Sequence, residues 1–273
     1  MPHRLEHACL PAAIYAGGAA SCVLTLAGGA PGHEQALAIG FTAAVAWMAY
    51  ILDRAKIFAR WHDPADRLAR PERDAWVRAH RGGLLAGAAA LATIGVVFAL
   101  ALRPWLATFV PAGAAAVIAY GSRDAASDRT RPKDVLLLKN ALTAAAFATL
   151  ACSSTSAAGI DPRAVASPGL FLACVVLGDA VLCDIEDLHA DEAHRTRTVA
   201  VAAGPRTART LGLGILALTA TSWLVFVDRT PASAVIAAGL WLTATLAVWA
   251  THRVRIAIDL RMGVVALAAA LIA

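Results

Sequence analysis

Charged residues are scarce in this chain, at 16% of 273 positions, and aromatic residues are scarcer, at 6%. A soluble domain of average make-up carries about 25% charged residues. Here 59% of the residues are hydrophobic, and one water-soluble core of this size cannot hide them. The shortage of charge therefore excludes an ordinary soluble domain, and the apolar excess excludes a disordered chain. The five cysteines, Cys9, Cys22, Cys152, Cys174 and Cys183, form no CxxC pair and lie in or beside apolar stretches. That excludes a secreted disulfide scaffold and leaves them as small buried hydrophobes. There is no low-complexity tract and no short-period repeat, and the longest polar insert is residues 53–82.

Most of the apolar mass is alanine, leucine and valine, and the mean hydropathy is +0.64. That suits helices packed closely in lipid. A spanning helix needs about 20 mostly apolar residues. Nine stretches qualify: 9–30, 35–52, 83–102, 105–120, 135–155, 164–183, 210–227, 232–250 and 256–273. The reading is an all-α polytopic membrane protein, one transmembrane domain over 1–273, with nine helices around a central cavity. The first stretch exceeds the about 7–15 residues of a secretory signal core, so it is expected to remain as a span.

The positive charge orients the chain. With the N-terminus inside and nine crossings, 21 of the 24 basic residues fall on the cytoplasmic side. Only Arg103, Arg163 and Arg229 fall outside. This is the bias expected of cytoplasmic loops, and it explains the net charge of +5 without nucleic acid. It predicts an integral protein of a bacterial inner or plasma membrane, C-terminus out, with cytoplasmic loops at 53–82 and 184–209.

Acids at span ends are costly and mark function. Asp53 closes the second span, and Asp179, Asp184, Glu186, Asp187 and Asp191 run out of the sixth. The two spans run in the same direction, so both acidic sites face the cytoplasm. They lie four helices apart, which hints at a parallel relation between spans one to four and five to eight. Asp184, Asp187 and Asp191 stand at i, i+3 and i+7, which on a helix aligns three carboxylates on one stripe. Such a stripe repels itself unless a cation neutralises it. Carboxylates with water are the ligand set of Mg²⁺, which usually sits between one or two carboxylates and a substrate's phosphates. Arg54, Arg195 and Arg197, with the basic fourth loop, supply phosphate-binding types nearby. Acids for a metal and bases for phosphate on one face point to a diphosphate substrate. Asn140 is expected to bond a neighbouring helix, and Asp259 is expected to pair with Arg261. Asp179 reads equally as a deeper metal ligand or a helix–helix bond.

The stretch Asp184-Ile185-Glu186-Asp187-Leu188-His189-Ala190-Asp191, followed by Arg197-Thr198-Val199-Ala200-Val201 and Gly204, resembles the second Asp-rich motif of the UbiA superfamily of intramembrane prenyltransferases. That motif reads DxxDxxxD, then a basic residue, Thr-x-x-Val and a Gly. The first motif of that family, NDxxDxxxD, is reduced here to Asp53 and Arg54. Ala49, Tyr50 and Ile57 stand at its other positions, and Asp63 and Asp66 follow off that helical face. The resemblance implies an allylic prenyl diphosphate donor, an acceptor of unknown identity and Mg²⁺. It implies Asp184, Asp187 and Asp191 as metal ligands with a second site at Asp53. Asp53, Asp187 and Asp191 become the catalytic residues. Arg54, Arg195, Arg197, Lys133, Lys139 and Tyr120 become the diphosphate-binding ones, with Arg123 in the same stretch. His189 and His194 lie close by without an evident role. The same features admit a terpene cyclase of that superfamily, or a non-catalytic membrane protein or transporter that kept the fold.

Overall fold

The computed structural model describes residues 7–57, 70–121, 135–193, 196–250 and 254–272. Within these residues the chain is all helical, with no strand. The long helices are α1 (Leu10–Leu26), α2 (His33–Ala55), α4 (Arg81–Leu102), α5 (Phe109–Gly121), α6 (Leu138–Ala157), α7 (Pro162–Cys183), α10 (Pro205–Phe226), α11 (Pro231–Ala250) and α12 (Val254–Ala270). They fall on the nine predicted apolar stretches. Short helices fill the polar inserts: α3 (Pro71–Ala79), α8 (Leu188–Ala193) and α9 (Val199–Ala203).

Among the described residues, five helices are long and apolar enough to cross a membrane: α2, α4, α7, α10 and α11. The outer faces carry large apolar side chains in the open, among them Leu100, Leu170, Leu218, Phe226 and Leu267. Such faces are unfavourable in water and ordinary in lipid. The chain is a multi-pass integral membrane protein.

Several boundaries differ from the sequence reading for local reasons. α1 stops at Leu26, because the chain turns at Gly28, whose φ of 75° suits a residue without Cβ. The insert 53–82 is not loop throughout. Pro71 starts α3 at its first turn, Glu72 and Asp74 lie near its positive end, and Arg78 lies near its negative end. α5 begins later than predicted, because Pro104–Thr108 forms a 3₁₀ turn first. α10 begins earlier, at Pro205, with Gly204 before it at φ 87°.

α1 and α7 form the interior. α1 packs against α2, α6, α7 and α12, and α7 packs against α6, α10, α11 and α12. The packing repeats itself. α1 with α2 and α2 with α4 in the first half correspond to α6 with α7 and α7 with α10 in the second. The cross-contacts α1 with α7 and α2 with α6 correspond as well. This is the parallel relation expected from the two acidic span ends, and it brings the C-terminal ends of α2 and α7 to one end of the bundle. Thr42 of α2 and Ser154 of α6 share a 2.8 Å hydrogen bond inside this contact, a polar tie in an apolar layer.

The chain has small-residue runs at Gly17-Gly18, Ala86-Gly87-Ala88 and Ala112-Gly113-Ala114, and of these Gly17-Gly18 is the one that admits a backbone. A Cβ placed on Gly18 would lie 2.7 Å from the Met262 carbonyl carbon of α12. Gly87 faces open space and Gly113 makes ordinary contacts. Gly18→Ala is therefore expected to destabilise the protein by about 1–3 kcal/mol, because backbone must move. Gly87→Ala is expected to be neutral or slightly stabilising. Thermal unfolding of both variants in detergent checks the difference.

Candidate active site

The site is built where α7 ends. Asp184 caps α7, and residues 184–187 form a turn before α8. The three carboxylates are therefore not on one continuous helix, which corrects the stripe reading. The last turn of α7 tightens through Glu186 N to Cys183 O at 3.2 Å, and α8 restarts with Asp191 N on Asp187 O at 2.8 Å. The trio still gathers, because one cation from another helix reaches all of it. Lys139, in the first turn of α6, lies within electrostatic reach of Asp184, Asp191 and Asp187. Its Nζ donates to Asp184 Oδ1 at 2.6 Å, and Asn140 Nδ2 donates to Asp184 Oδ2 at 3.0 Å. Asp184 is almost fully buried and has both oxygens engaged. Asn140 thus bonds a neighbouring helix as expected.

A second cation comes from α12. Arg255 Nη2 donates to Asp187 Oδ2 at 2.5 Å. Its backbone N donates to Glu186 Oε1 at 2.9 Å, and Arg70 pairs with the other oxygen of Glu186. Burial disfavours the charged form of Asp187, but Arg255, Lys139 and Arg70 outweigh it and hold the carboxyl below the usual range. Asp191 is the exception. Burial, reinforced by Asp184 and Asp187, pushes it up to about 7 against the opposing pull of Lys139 and Arg255. Its Oδ2 is buried and has no partner among the described residues.

At the end of α2, Asp53 pairs with Lys56 at 2.6 Å and its side chain is 45% exposed. Lys56 caps α2 with φ 49°, and Arg81 binds the carbonyls of Ala55, Lys56 and Ile57 there. Arg54 turns the other way, within electrostatic reach of Asp259 on α12 and of Tyr50. Arg197 is exposed, before the Thr198 cap of α9. His189 is 97% exposed and lies 4.0 Å from Glu192. Tyr120 lies in the last turn of α5, and its side chain is outside the described residues. Lys133, Arg195, Arg123, His194, Asp63 and Asp66 also lie outside them.

Deeper in the bundle, Arg261 of α12 does not pair with Asp259. It pairs with Asp179 of α7, which also accepts a 2.8 Å hydrogen bond from Tyr15 of α1. Arg261 also donates to the Leu240 carbonyl of α11. Asp179 is thus a helix–helix bond and not a deeper ligand of the trio. The reason is reach: Arg and Asp buried in lipid-facing helices take the partner that removes both charges from hydrocarbon.

Sequence reasoning missed Arg255 and Arg70 as partners of the acids, and gave Glu186 no separate role. Arg255 sits at the start of the last apolar run, far in sequence from the acids, and only its place on the same cytoplasmic face was visible. Lys139, expected at phosphate, pairs with Asp184 and lies within electrostatic reach of Asp187 and Asp191.

Among the described residues no three His, Cys, Asp or Glu side chains converge to hold an ion by themselves. The oxygen-only donor set and the unpartnered Asp191 oxygen nevertheless fit Mg²⁺ in its usual mode, shared between one or two carboxylates and a diphosphate.

The fold has a counterpart among solved membrane proteins. The likeness is to the solved structure of a digeranylgeranylglyceryl phosphate synthase, with a TM-score of 0.56 at 13% identity, over 98% of this chain and 96% of that one. No family model matches the sequence, and no curated protein does. At this identity the shared property is the fold.

Proposed function

We propose that this protein is a membrane prenyltransferase that moves a prenyl group from an allylic prenyl diphosphate to an acceptor, with Mg²⁺. The observation that carries the reading is the gathering of Asp184, Asp187 and Asp191 around Lys139 at the mouth of a helical bundle with a prenyltransferase fold. In this reading all nine long helices cross the membrane, and the trio opens to the cytoplasm.

Asp187 and Asp191 would hold the ion, and Asp53 would serve a second site. An ion held there would supply positive charge to offset that of the leaving diphosphate. Asp184 anchors Lys139 close to that charge, and Arg54, Arg195 and Arg197 add guanidinium forks suited to phosphate. The apolar interior holds the hydrocarbon tail and keeps water from quenching the allylic cation. The acceptor captures the cation. The parallel internal packing and the placement of the acids at one end favour this reading over a transporter, whose repeats are commonly inverted and whose binding site lies at the midplane.

The test is release of pyrophosphate from prenyl diphosphates of graded chain length, by purified full-length protein in detergent, with Mg²⁺ and with chelator. Chain-length-dependent release that stops on chelation is the expected result. No release at any length would sink the proposal. Product analysis without an acceptor separates transfer from internal cyclisation.

A further inference from the structure

Three carboxylates in one turn and one short helix need compensating charge, and the chain provides two cations of its own. The two are not equivalent. The Lys139–Asp184 pair is closed on its acidic side: the Asp184 side chain is 2% exposed and its second oxygen is held by Asn140. The Arg255–Asp187 pair is less enclosed, with side-chain exposures of 22% and 20%. The buried pair Arg261–Asp179, between α12 and the body of α7, is sealed at 4% on each side. Next to the less enclosed pair lies the Asp191 oxygen that has no partner among the described residues.

Arg255 is also anchored in a way that frees its head. Glu186 holds its backbone N at 2.9 Å, and Arg70 holds Glu186 from the other side. The long side chain can thus leave Asp187 without any movement of α12. With Lys139 and Arg255 in place, the three carboxyl groups already face two cations of the chain's own. A dication entering between Asp187 and Asp191 overshoots that balance and competes directly with the guanidinium for Asp187. A diphosphate arriving with the ion offers the released guanidinium a new partner, and Arg is suited to it because its planar fork grips phosphate oxygens in pairs.

We infer that Arg255 is an exchangeable counter-ion: it holds Asp187 while the site is empty and turns to the diphosphate when a divalent ion takes Asp187. The inference rests on the proposed reading that ion and diphosphate share this site. It makes the last helix part of diphosphate recognition, and it predicts effects of opposite sign on the two ligands.

The experiment uses full-length protein in detergent, with Mn²⁺ alone followed by electron paramagnetic resonance, and inorganic pyrophosphate titrated calorimetrically at saturating Mn²⁺. Arg255→Gln is expected to bind Mn²⁺ about tenfold more tightly than the unaltered protein, because a competing unit charge is gone. The same variant is expected to bind pyrophosphate about tenfold more weakly. Arg255→Lys keeps the charge but loses the fork. It is expected to match the unaltered protein for Mn²⁺ and to bind pyrophosphate several-fold more weakly. Loss of both affinities together in Arg255→Gln, or no change in either, overturns the exchange while leaving the site assignment standing. If Arg255→Gln does not fold, as judged by its helical circular dichroism, unchanged pyrophosphate binding in Arg255→Lys overturns it. Failure of the unaltered protein to bind Mn²⁺ or pyrophosphate removes the site itself, and the exchange with it.

Discussion

Arg261→Met is expected to lower the stability of the folded protein by about 3–5 kcal/mol, the range for removing one partner of a buried ion pair. Arg261 and Asp179 are each 4% exposed, and Arg261 ties α12 to α7 through that carboxylate and to α11 through the Leu240 carbonyl. Without the guanidinium, Asp179 keeps only the Tyr15 hydroxyl, at 2.8 Å. A carboxylate left in an apolar interior with one hydrogen bond is what makes the loss large. The double variant Asp179→Leu/Arg261→Met removes both charges. It is expected to recover most of the loss, because a well-packed apolar pair is often no less stable than the ion pair it replaces. Chemical unfolding of the two single variants and the double variant in detergent closes the cycle. Additive losses in the double variant would show that the two side chains act separately.

Why this pair was hidden in the sequence is instructive. Asp179 and Arg261 are 82 positions apart, and Asp259 stands two residues from Arg261, so proximity along the chain favours the wrong partner. On a helix, residues two apart point to different sides. Arg261 faces α7, while Asp259 lies within electrostatic reach of Arg255, Arg54 and Glu186 at the mouth. Helix period was enough to reject the nearer pairing, but not to find the right one. That required knowing that α12 packs against α1 and α7. The long helices themselves were legible, because apolar runs in a membrane protein report directly on spans. Their ends were less so. Pro71 and Pro205 open helices inside what reads as polar loop, and Pro104 delays α5 with a 3₁₀ turn. Hydropathy does not sense these backbone effects, although proline at a first helical turn is itself a start signal.

The site divides in the same manner. Its carboxylates were legible, since three aspartates at an apolar boundary are too costly to be idle. Its cations were only partly so. Lys139 and Arg255 were visible as part of the basic cytoplasmic side, but which acid each one holds depends on how α6 and α12 lie beside α7. The parallel packing of the two halves makes the end of α2 the counterpart of the end of α7. The counterpart positions differ in content: Asp184 has two partners from α6, Lys139 and the buried Asn140, while Asp53 pairs with Lys56 at the end of its own helix and is 45% exposed.

That difference sets the largest expected effect on the proposed reaction. Asp187→Asn is expected to reduce Mg²⁺-dependent pyrophosphate release by at least about a hundredfold, since a lost metal carboxylate removes several kcal/mol of leaving-group stabilisation. Asp53→Asn is expected to cost less than about tenfold. Its carboxylate is exposed and already paired with Lys56, and exposed pairs contribute little. The asymmetry follows from charge: burial raises the cost of ionising Asp187, yet Arg255, Lys139 and Arg70 outweigh it and favour the anion that a divalent ion requires. Asn at 187 keeps the shape and removes that anion. Steady-state release rates for the two variants, over a range of Mg²⁺ concentrations, decide the matter. A loss in Asp187→Asn that high Mg²⁺ partly restores would place the defect in ion binding. Equal losses in the two variants would mean that α2 and α7 contribute alike, against the geometry. An unaffected Asp187→Asn would remove the trio from the chemistry altogether.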